Sequence, residues 1–394
     1  MQPTFPDQVR LEALATEVAT AAGGLGARLH PDIMAAVGDL LRTVNCYYSN
    51  LIEGHDTHPI DIDRAMRQDY SNDPKRRSLQ LEATAHIEVQ LLVESDLVSH
   101  PPRNVCAPDY LCWIHREFYQ RLPEELRVVR DPVDGRELAV NPGELRRYEV
   151  RVGAHIAPPH DEVPALLDHF SKTYDPVGRG AVNGLIALGA AHHRLLWIHP
   201  FGDGNGRVTR LMTDAYLRRI GVGGHGLWTA SRGLARQSGA YRDALAAADA
   251  VRWNDYDGRG PLSLRALSDF CRFFLEVCLD QVRYMGGLLE VDRLADRVRA
   301  YGRARQTGLI TGLAKGFRED AALLLENLVY RGSIPRGQVA KLLRLEERTA
   351  RRVVRLLTAE GFISSPTSRA PLRLRIPPQA APHLFPGLYQ PASA

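Results

Sequence analysis

At 394 residues the chain is too long for one ordinary core, so two or three domains are expected. Its 44% hydrophobic and 24% charged residues are those of a soluble globular protein, and no apolar run reaches the length that spans a bilayer, which excludes a helical membrane protein. The formal charge of +4, from 50 basic and 46 acidic residues, is small for this length, so only its distribution along the chain is informative.

The N-terminus carries no basic region followed by an apolar block and a cleavage site. The five cysteines (Cys46, Cys106, Cys112, Cys271, Cys278) are odd in number and lack CxxC spacing, which argues against a disulfide framework and a zinc site. A reducing, cytoplasmic setting is expected.

From about residue 8 to 100 the pattern is helical. "PDIMAAVGDLLRTVNCYYSNLIEG" has apolar residues at three- and four-residue spacing and Gly54 as a stop signal. Within it "SNLIEG" puts Ser49 and Glu53 four apart on one helix face. A glutamate at a helix C-terminus meets the negative end of the dipole, so Glu53 invites a cationic partner.

Residues 101–290 hold further helices, interrupted by "DPVDGRELAVNPGELRRYEVRVGAHIAPPHDEVP", which alternates and predicts a short β-hairpin followed by an extended segment. "NGLIALGAAHHRLLWIHPF" then has helical apolar spacing through Leu185, Leu188, Leu195 and Ile198, and "RVTRLMTDAYLRRIG" is helical again. Between them "GDGNG" forms a tight loop opening the second helix. Its backbone N–H groups, at the positive end of the dipole, make a site for phosphate.

Arg207 and Arg210 sit three apart on that helix and suit further phosphates. Asp203 is a lone carboxylate, suited to Mg²⁺ completed by water and phosphate oxygens. His199 can take a proton from an attacking hydroxyl. "GVGGHG", Gly221 to Gly226, satisfies GxGxxG but follows a helix, and reads as a loop. His192 and His193 read as core histidines.

A long helix from Pro261 to Gln306 is expected to bridge to a C-terminal unit. There "REDAALLLENLVYRG", "IPRGQVAKLL" and "EERTARRVVRLLTAEG" predict three short helices, and "FISSPTSRAPLRLRIP" two strands around a wing. Between Arg331 and Ile376 stand eleven basic and three acidic residues, so the positive charge concentrates there. Arg348, Arg351, Arg352 and Arg355 fall on the third helix, and Arg369, Arg373 and Arg375 on the wing, as DNA backbone contacts require. "PPQAAPHLFPGLYQPASA" reads as a Pro-rich tail.

From His199 to Arg210 the sequence "HPFGDGNGRVTR" resembles the HPFx(D/E)GNGRxxR motif of Fic domain proteins at every defining position. The resemblance implies a mainly α fold, a Fic helical core with a short β-hairpin flap, here followed by a stretch that resembles a winged helix-turn-helix. It also implies a protein adenylyltransferase that moves AMP from ATP to a Ser, Thr or Tyr hydroxyl of a protein target. By that resemblance His199 is the base, Asp203 the Mg²⁺ ligand, and Phe201 the anchor of the loop. Gly204, Asn205 and Gly206 hold the α-phosphate, and Arg207 and Arg210 the outer phosphates. A kinase-like toxin branch of the family replaces the glycine matching Gly206 by lysine; this chain keeps the glycine.

"GELRRYEVRVGAHIAPPHDEVPALLDHF" resembles the family's target-aligning flap, with Val150 and Val152 at its edge, and "SRGLARQSGAYRDAL" resembles a stretch that contacts adenosine, with Tyr241 as candidate. "SNLIEG" matches the family's (S/T)xxxE(G/N) inhibitory motif, which implies that Glu53 pairs with Arg210. The expected organisation is an N-terminal helical region at 1–100, the catalytic core at 101–290, a linking helix at 291–318, a winged-helix-like domain at 319–380 and the tail at 381–394. The expected substrate is ATP, with Mg²⁺. The expected partners are a protein target and duplex DNA, with no membrane and a homo-oligomer left open. Two other readings stand beside transfer: removal of AMP from a modified protein, and a DNA-binding regulator that uses the core as an ATP sensor.

Overall fold

The computed structural model describes residues 5–27, 29–130, 135–310 and 317–389. Among the described residues ten α-helices come first: α1 (Gln8–Gly24), α2 (Pro31–Ile52), α3 (Pro59–Met66), α4 (Pro74–Ser99), α5 (Pro108–Tyr119), α6 (Val163–Tyr174), α7 (Ala181–Ile198), α8 (Asn205–Arg219), α9 (Ala230–Arg236) and α10 (Ser238–Ala248). Six follow: α11 (Leu264–Leu288), α12 (Val291–Gln306), α13 (Glu319–Arg331), α14 (Val339–Leu343), α15 (Glu347–Ala359) and α16 (Ala381–Leu384). The strands are β1 (Val128–Arg130), β2 (Glu137–Ala139), β3 (Arg151–Val152), β4 (His155–Ile156), β5 (Ser333–Ile334), β6 (Ile363–Ser364) and β7 (Leu372–Leu374). The architecture is mainly helical, as the sequence predicts. Among the described residues no helix is long and apolar enough to cross a membrane.

Local chemistry sets the helices that matter most. α2 begins at Pro31, whose missing N–H costs nothing at a first helical position, and the His30 side chain accepts the Asp32 N–H at 3.2 Å. It stops where Gly54 takes φ +84°, a left-handed cap that glycine adopts without strain. α7 is apolar around nearly its whole circumference and is accordingly buried on all sides, against α1, α6, α8 and α11. α8 runs from the glycine-rich loop back along α7 and packs on α2, α4 and α5. The segment carrying the motif is therefore clamped between the N-terminal helices and the rest of the core.

The expected single helix from Pro261 to Gln306 is two. α11 ends at Leu288 behind Gly286 and Gly287, and α12 restarts after an extended Glu290. α12 packs on α13 and α16, so it belongs with the C-terminal unit and does not bridge to it. Part of the expected 291–318 linking helix, residues 311–316, lies outside the described residues.

In that unit β5, β7 and β6 form an antiparallel sheet in that order, with Ile334 opposite Leu372 and Ile363 opposite Leu374. The three expected helices and two expected strands are present as α13, α14, α15, β6 and β7. β5, a two-residue strand, is additional. α15 buries Ala350, Val353, Val354 and Leu357 and turns Arg348, Arg351, Arg352 and Arg355 to solvent. Arg373, on β7, is half exposed and its guanidinium lies 3.2 Å from Asp32 of α2.

The expected Pro-rich tail is also corrected as far as it is described. Leu384, Phe385 and Leu388 are buried, the Tyr48 hydroxyl donates to the Leu388 carbonyl at 2.9 Å, and Arg232 donates to the Gly387 carbonyl at 2.8 Å. Apolar residues in the proline-rich stretch dock it on α2 and α9; residues 390–394 of the tail lie outside the described residues.

Candidate active site

The loop between α7 and α8 is built by a few specific contacts. His199 caps α7 in the left-handed region (φ 50°, ψ 60°) and its N–H still donates to Leu195 O at 3.1 Å. Phe201 is fully buried and stacks on His115 with ring centroids 4.1 Å apart, so it anchors the loop in the core. Asn205 braces the turn from inside: its Oδ1 accepts the Phe201 N–H and its Nδ2 donates to the Phe201 carbonyl, both at 2.9 Å. Gly204 has φ +78°, and a Cβ there would meet the Tyr119 ring at 2.6 Å. α8 then starts at Asn205, with the N–H groups of its first turn lacking acceptors within the helix. With the Asn205 side chain spent on the loop, its backbone N–H is what it offers an anion.

His199 faces a cleft of about 240 Å³ lined by Glu53, Val150, Val152 and Gly202 through Gly206. Its Nδ1 lies 3.3 Å from the Leu196 carbonyl, an acceptor, so Nδ1 carries the proton and Nε2 keeps its lone pair. Burial pushes the pKa of His199 down to about 4, which keeps the ring neutral at ordinary pH. The ring is thus a proton acceptor held in one tautomer.

Asp203 and Arg207 form a second cluster. The Tyr119 hydroxyl donates to Asp203 Oδ2 at 2.5 Å, and Arg207 donates to the same oxygen at 2.9 Å. Burial pushes the Asp203 carboxyl up, and the Arg207 charge with the Tyr119 hydrogen bond outweighs it, so the group stays anionic below the usual range. Arg207 also donates to Glu82 at 3.2 Å and lies over the Phe118 ring at 4.9 Å.

The Asp203 side chain is 44% exposed at the cleft edge. Among the described residues no three acids, cysteines or histidines gather as a metal site. One anionic carboxylate beside a phosphate cradle suits Mg²⁺, which draws its remaining ligands from water and phosphate oxygens.

Glu53 closes the other side. Its Oε1 lies 2.5 Å from Arg210 Nη2, while Ser49 accepts from Arg210 Nε through its hydroxyl at 2.8 Å and from Nη2 through its carbonyl at 3.0 Å. Burial pushes the Glu53 carboxyl up; Arg210 and, behind it, Arg207 hold it lower than usual. The Glu53 carboxylate also touches the position a Gly206 side chain would fill, so it rests against the first turn of α8. There a carboxylate meets the positive end of the helix dipole, as a phosphate would. The expected pairing of Glu53 with Arg210 is found, with Ser49 joining it, and both candidate phosphate arginines are engaged with protein acids.

The hairpin over the cleft is β3 with β4, Val152 opposite His155. Val152 is half exposed and Val150 lies just before β3; both line the cleft, as expected of the flap edge. A second hairpin, β1 with β2, adds Val129, Arg130 and Leu138 to the same lining. Its first strand precedes the alternating stretch from which a hairpin is predicted.

Tyr241 is the correction. It is 2% exposed, and its hydroxyl is 2.7 Å from His192 Nε2. It lies on the buried face of α10, so it is core and not the adenosine contact that the resemblance implies. His192 and His193 are core, as expected.

Residues missed by sequence reasoning are Glu82, His115, Tyr119, Arg146 and His155. Each lies far along the chain from the motif and shows its role only when its helix or hairpin is packed beside the loop.

Comparisons with known proteins agree with this geometry. Residues 105–217 match the Fic/DOC family. A stretch of 91 residues, 23% of this chain, is 35% identical to a protein adenylyltransferase Fic of Aedes aegypti and, equally, to one of Drosophila melanogaster, covering 17% of each. The chain thus spans about a sixth of the length of the curated relatives it matches. A solved Fic family protein from Desulfovibrio desulfuricans G20 shares the fold with a TM-score of 0.52 at 19% identity, over 95% of this chain and 98% of that one. The loop, the helices that clamp it and these likenesses lead to one assignment: the chain carries a Fic domain of the Fic/DOC family across residues 105–217.

Proposed function

We propose that the protein transfers AMP from ATP to a hydroxyl of a protein target and that Glu53 restrains the reaction. The observation that carries this reading is the single cleft in which the His199 lone pair, the open N-terminus of α8 and the Asp203 carboxylate converge beneath an exposed hairpin. In the reaction the target hydroxyl gives its proton to His199 Nε2 as its oxygen attacks the α-phosphorus; the bond to the bridging oxygen breaks and pyrophosphate leaves. The first-turn N–H groups of α8 stabilise charge on the α-phosphate. Mg²⁺ at Asp203 would neutralise charge on the phosphates. The flap edge at Val150 and Val152 would align the target backbone by strand addition. With Mg²⁺ and ATP labelled in the α-phosphate, label is expected on the protein itself and on lysate proteins; its absence, with ATP bound, would favour the regulator that only senses ATP.

A partner role for the C-terminal unit rests on the solvent-facing arginines of α15. As a winged helix it would bind duplex DNA through phosphate contacts. The affinity of the full chain for duplex is expected to fall linearly in log–log plots against salt, and Arg352→Ala with Arg355→Ala to reduce that slope by about one each. No binding of any duplex at low salt would leave docking of a protein partner as the role of this face.

A further inference from the structure

The hairpin over the cleft is tied to the catalytic loop by two cations that take no part in the phosphate cradle. Arg146 is buried just before β3. Its Nη1 donates to the Tyr148 carbonyl at 2.9 Å and its Nη2 to the Pro158 carbonyl at 2.5 Å, so one guanidinium closes both ends of the hairpin. The same side chain donates from Nε to the carbonyl of His199 at 2.8 Å, and its backbone N–H donates to Pro200 O at 2.9 Å. The planar fork lets one residue hold three backbone segments at once.

His155, on β4, makes the second tie. Its Nδ1 is 2.8 Å from Asp249 Oδ2 and its Nε2 is 3.0 Å from the Trp197 carbonyl, two residues before His199. A carboxylate and a carbonyl can only accept, so both ring nitrogens carry protons and the ring is an imidazolium. Asp249, at the end of α10, is held anionic: burial raises its pKa, and the bonds from His155 and His193 bring it down to about 2.

Further titratable and charged groups face this pair. His193, from α7, donates to the other Asp249 oxygen at 3.1 Å; its Nδ1 faces an Arg194 donor at 3.2 Å, so it is neutral. The His199 ring lies 6.4 Å from that of His155, and Arg146 bears on it from the segment before β3.

We propose that Arg146 and His155 are positioning residues that fix the flap strand relative to the catalytic histidine, His155 by a two-ended pin that needs a proton on both ring nitrogens. The activity part of this rests on the AMP-transfer reading; the pinning itself does not. The hydrogen bond to Asp249 raises the pKa of His155 above its ordinary value. A raised pKa means the tie is fully present below the unfolded-state value and is lost as pH rises through the folded-state one. The flap therefore loosens on the alkaline side.

The test is hydrogen exchange of the amides from Tyr148 to Ala157 in the full chain, corrected for intrinsic rates, together with label transfer from ATP in a Glu53→Gly background and ATP affinity by calorimetry. His155→Ala is expected to speed flap exchange about tenfold, the scale of one charged hydrogen bond. It should lower transfer while leaving ATP affinity unchanged. In the wild type, flap exchange should rise between neutral and alkaline pH. In His155→Gln, which supplies two amide donors and does not titrate, protection should be regained in part and that rise should vanish. Arg146→Lys keeps the charge and loses the fork, so exchange should rise at both flap ends. Flap exchange equal in wild type and His155→Ala, or an alkaline rise that survives His155→Gln, would overturn the proposal. If no variant transfers label, the exchange results still decide the pinning and only the AMP-transfer reading fails.

Discussion

Glu53→Gly should raise self-labelling with AMP about 10- to 100-fold, the range that one charge-assisted hydrogen bond of about 1.5–3 kcal/mol represents. In the wild type Arg210 is 3% exposed, and its Nε and Nη2 donors are taken by Ser49 and Glu53. With its Nε/Nη2 edge engaged the arginine cannot turn that fork to a phosphate, and the Glu53 carboxylate lies against Gly206 at the helix N-terminus where a phosphate would be drawn. Removing the carboxylate frees both at once. The wild type should therefore bind ATP yet transfer AMP slowly.

The double change Glu53→Gly with Arg210→Ala should lose the gain, because the released arginine is what the first change provides. Two residues acting through one contact are not additive. Quantified radiolabel on the protein, with each variant's ATP affinity measured separately, gives the cycle. Transfer unchanged in Glu53→Gly would remove the restraint. Should the wild type strip AMP from a modified protein while Glu53→Gly does not, Glu53 would instead be placing water for hydrolysis.

The same pair marks how far the sequence carries the site. The loop residues and the two inhibitory candidates were legible because local rules speak for them: a glycine-rich helix start presents unpaired N–H groups, and a carboxylate at a helix end demands a cation. Helices α2, α7 and α8 were legible from apolar spacing and their caps. What was illegible depends on packing. Tyr241 sits at the right spacing for either face of α10, and only the placement of His192 decides that it is core. Pro261 to Gln306 has a continuous helical pattern, and the break falls where two glycines weaken it. Tyr119 and His115 hold Asp203 and Phe201 from α5 through a side-chain hydrogen bond and a ring stack, and Arg146 and His155 hold the flap through bonds to backbone carbonyls, none of which leaves a trace in spacing. The expected tail reads as proline-rich, yet its Phe385 and Leu388 are buried, a fact that composition does not encode.

His199→Ala should lower AMP transfer about 10²- to 10⁴-fold, the usual contribution of a general base, and leave ATP affinity within about twofold. The bond from Nδ1–H to Leu196 O fixes the tautomer, and the left-handed backbone at His199, secured by Arg146 on its carbonyl, turns the ring to the cleft. None of these contacts involves the amides of α8 that would hold phosphate, so binding and chemistry should separate. Calorimetry with ATP and a labelling time course read the two. Equal loss of both would make the residue structural.

The pH profile gives an independent check on the same residue. A base must be unprotonated to act, and burial has brought His199 down to about 4, so its acid limb should lie well below neutrality. A limb near the ordinary histidine value would mean that the ring titrates in water, outside the environment described. Activity should instead hold level from neutral pH down toward 5 and fall only as His199 takes a proton, while any loss on the alkaline side belongs to the flap. His199→Ala would keep no acid limb of its own, and a limb unchanged in that variant's residual activity would assign it to another group.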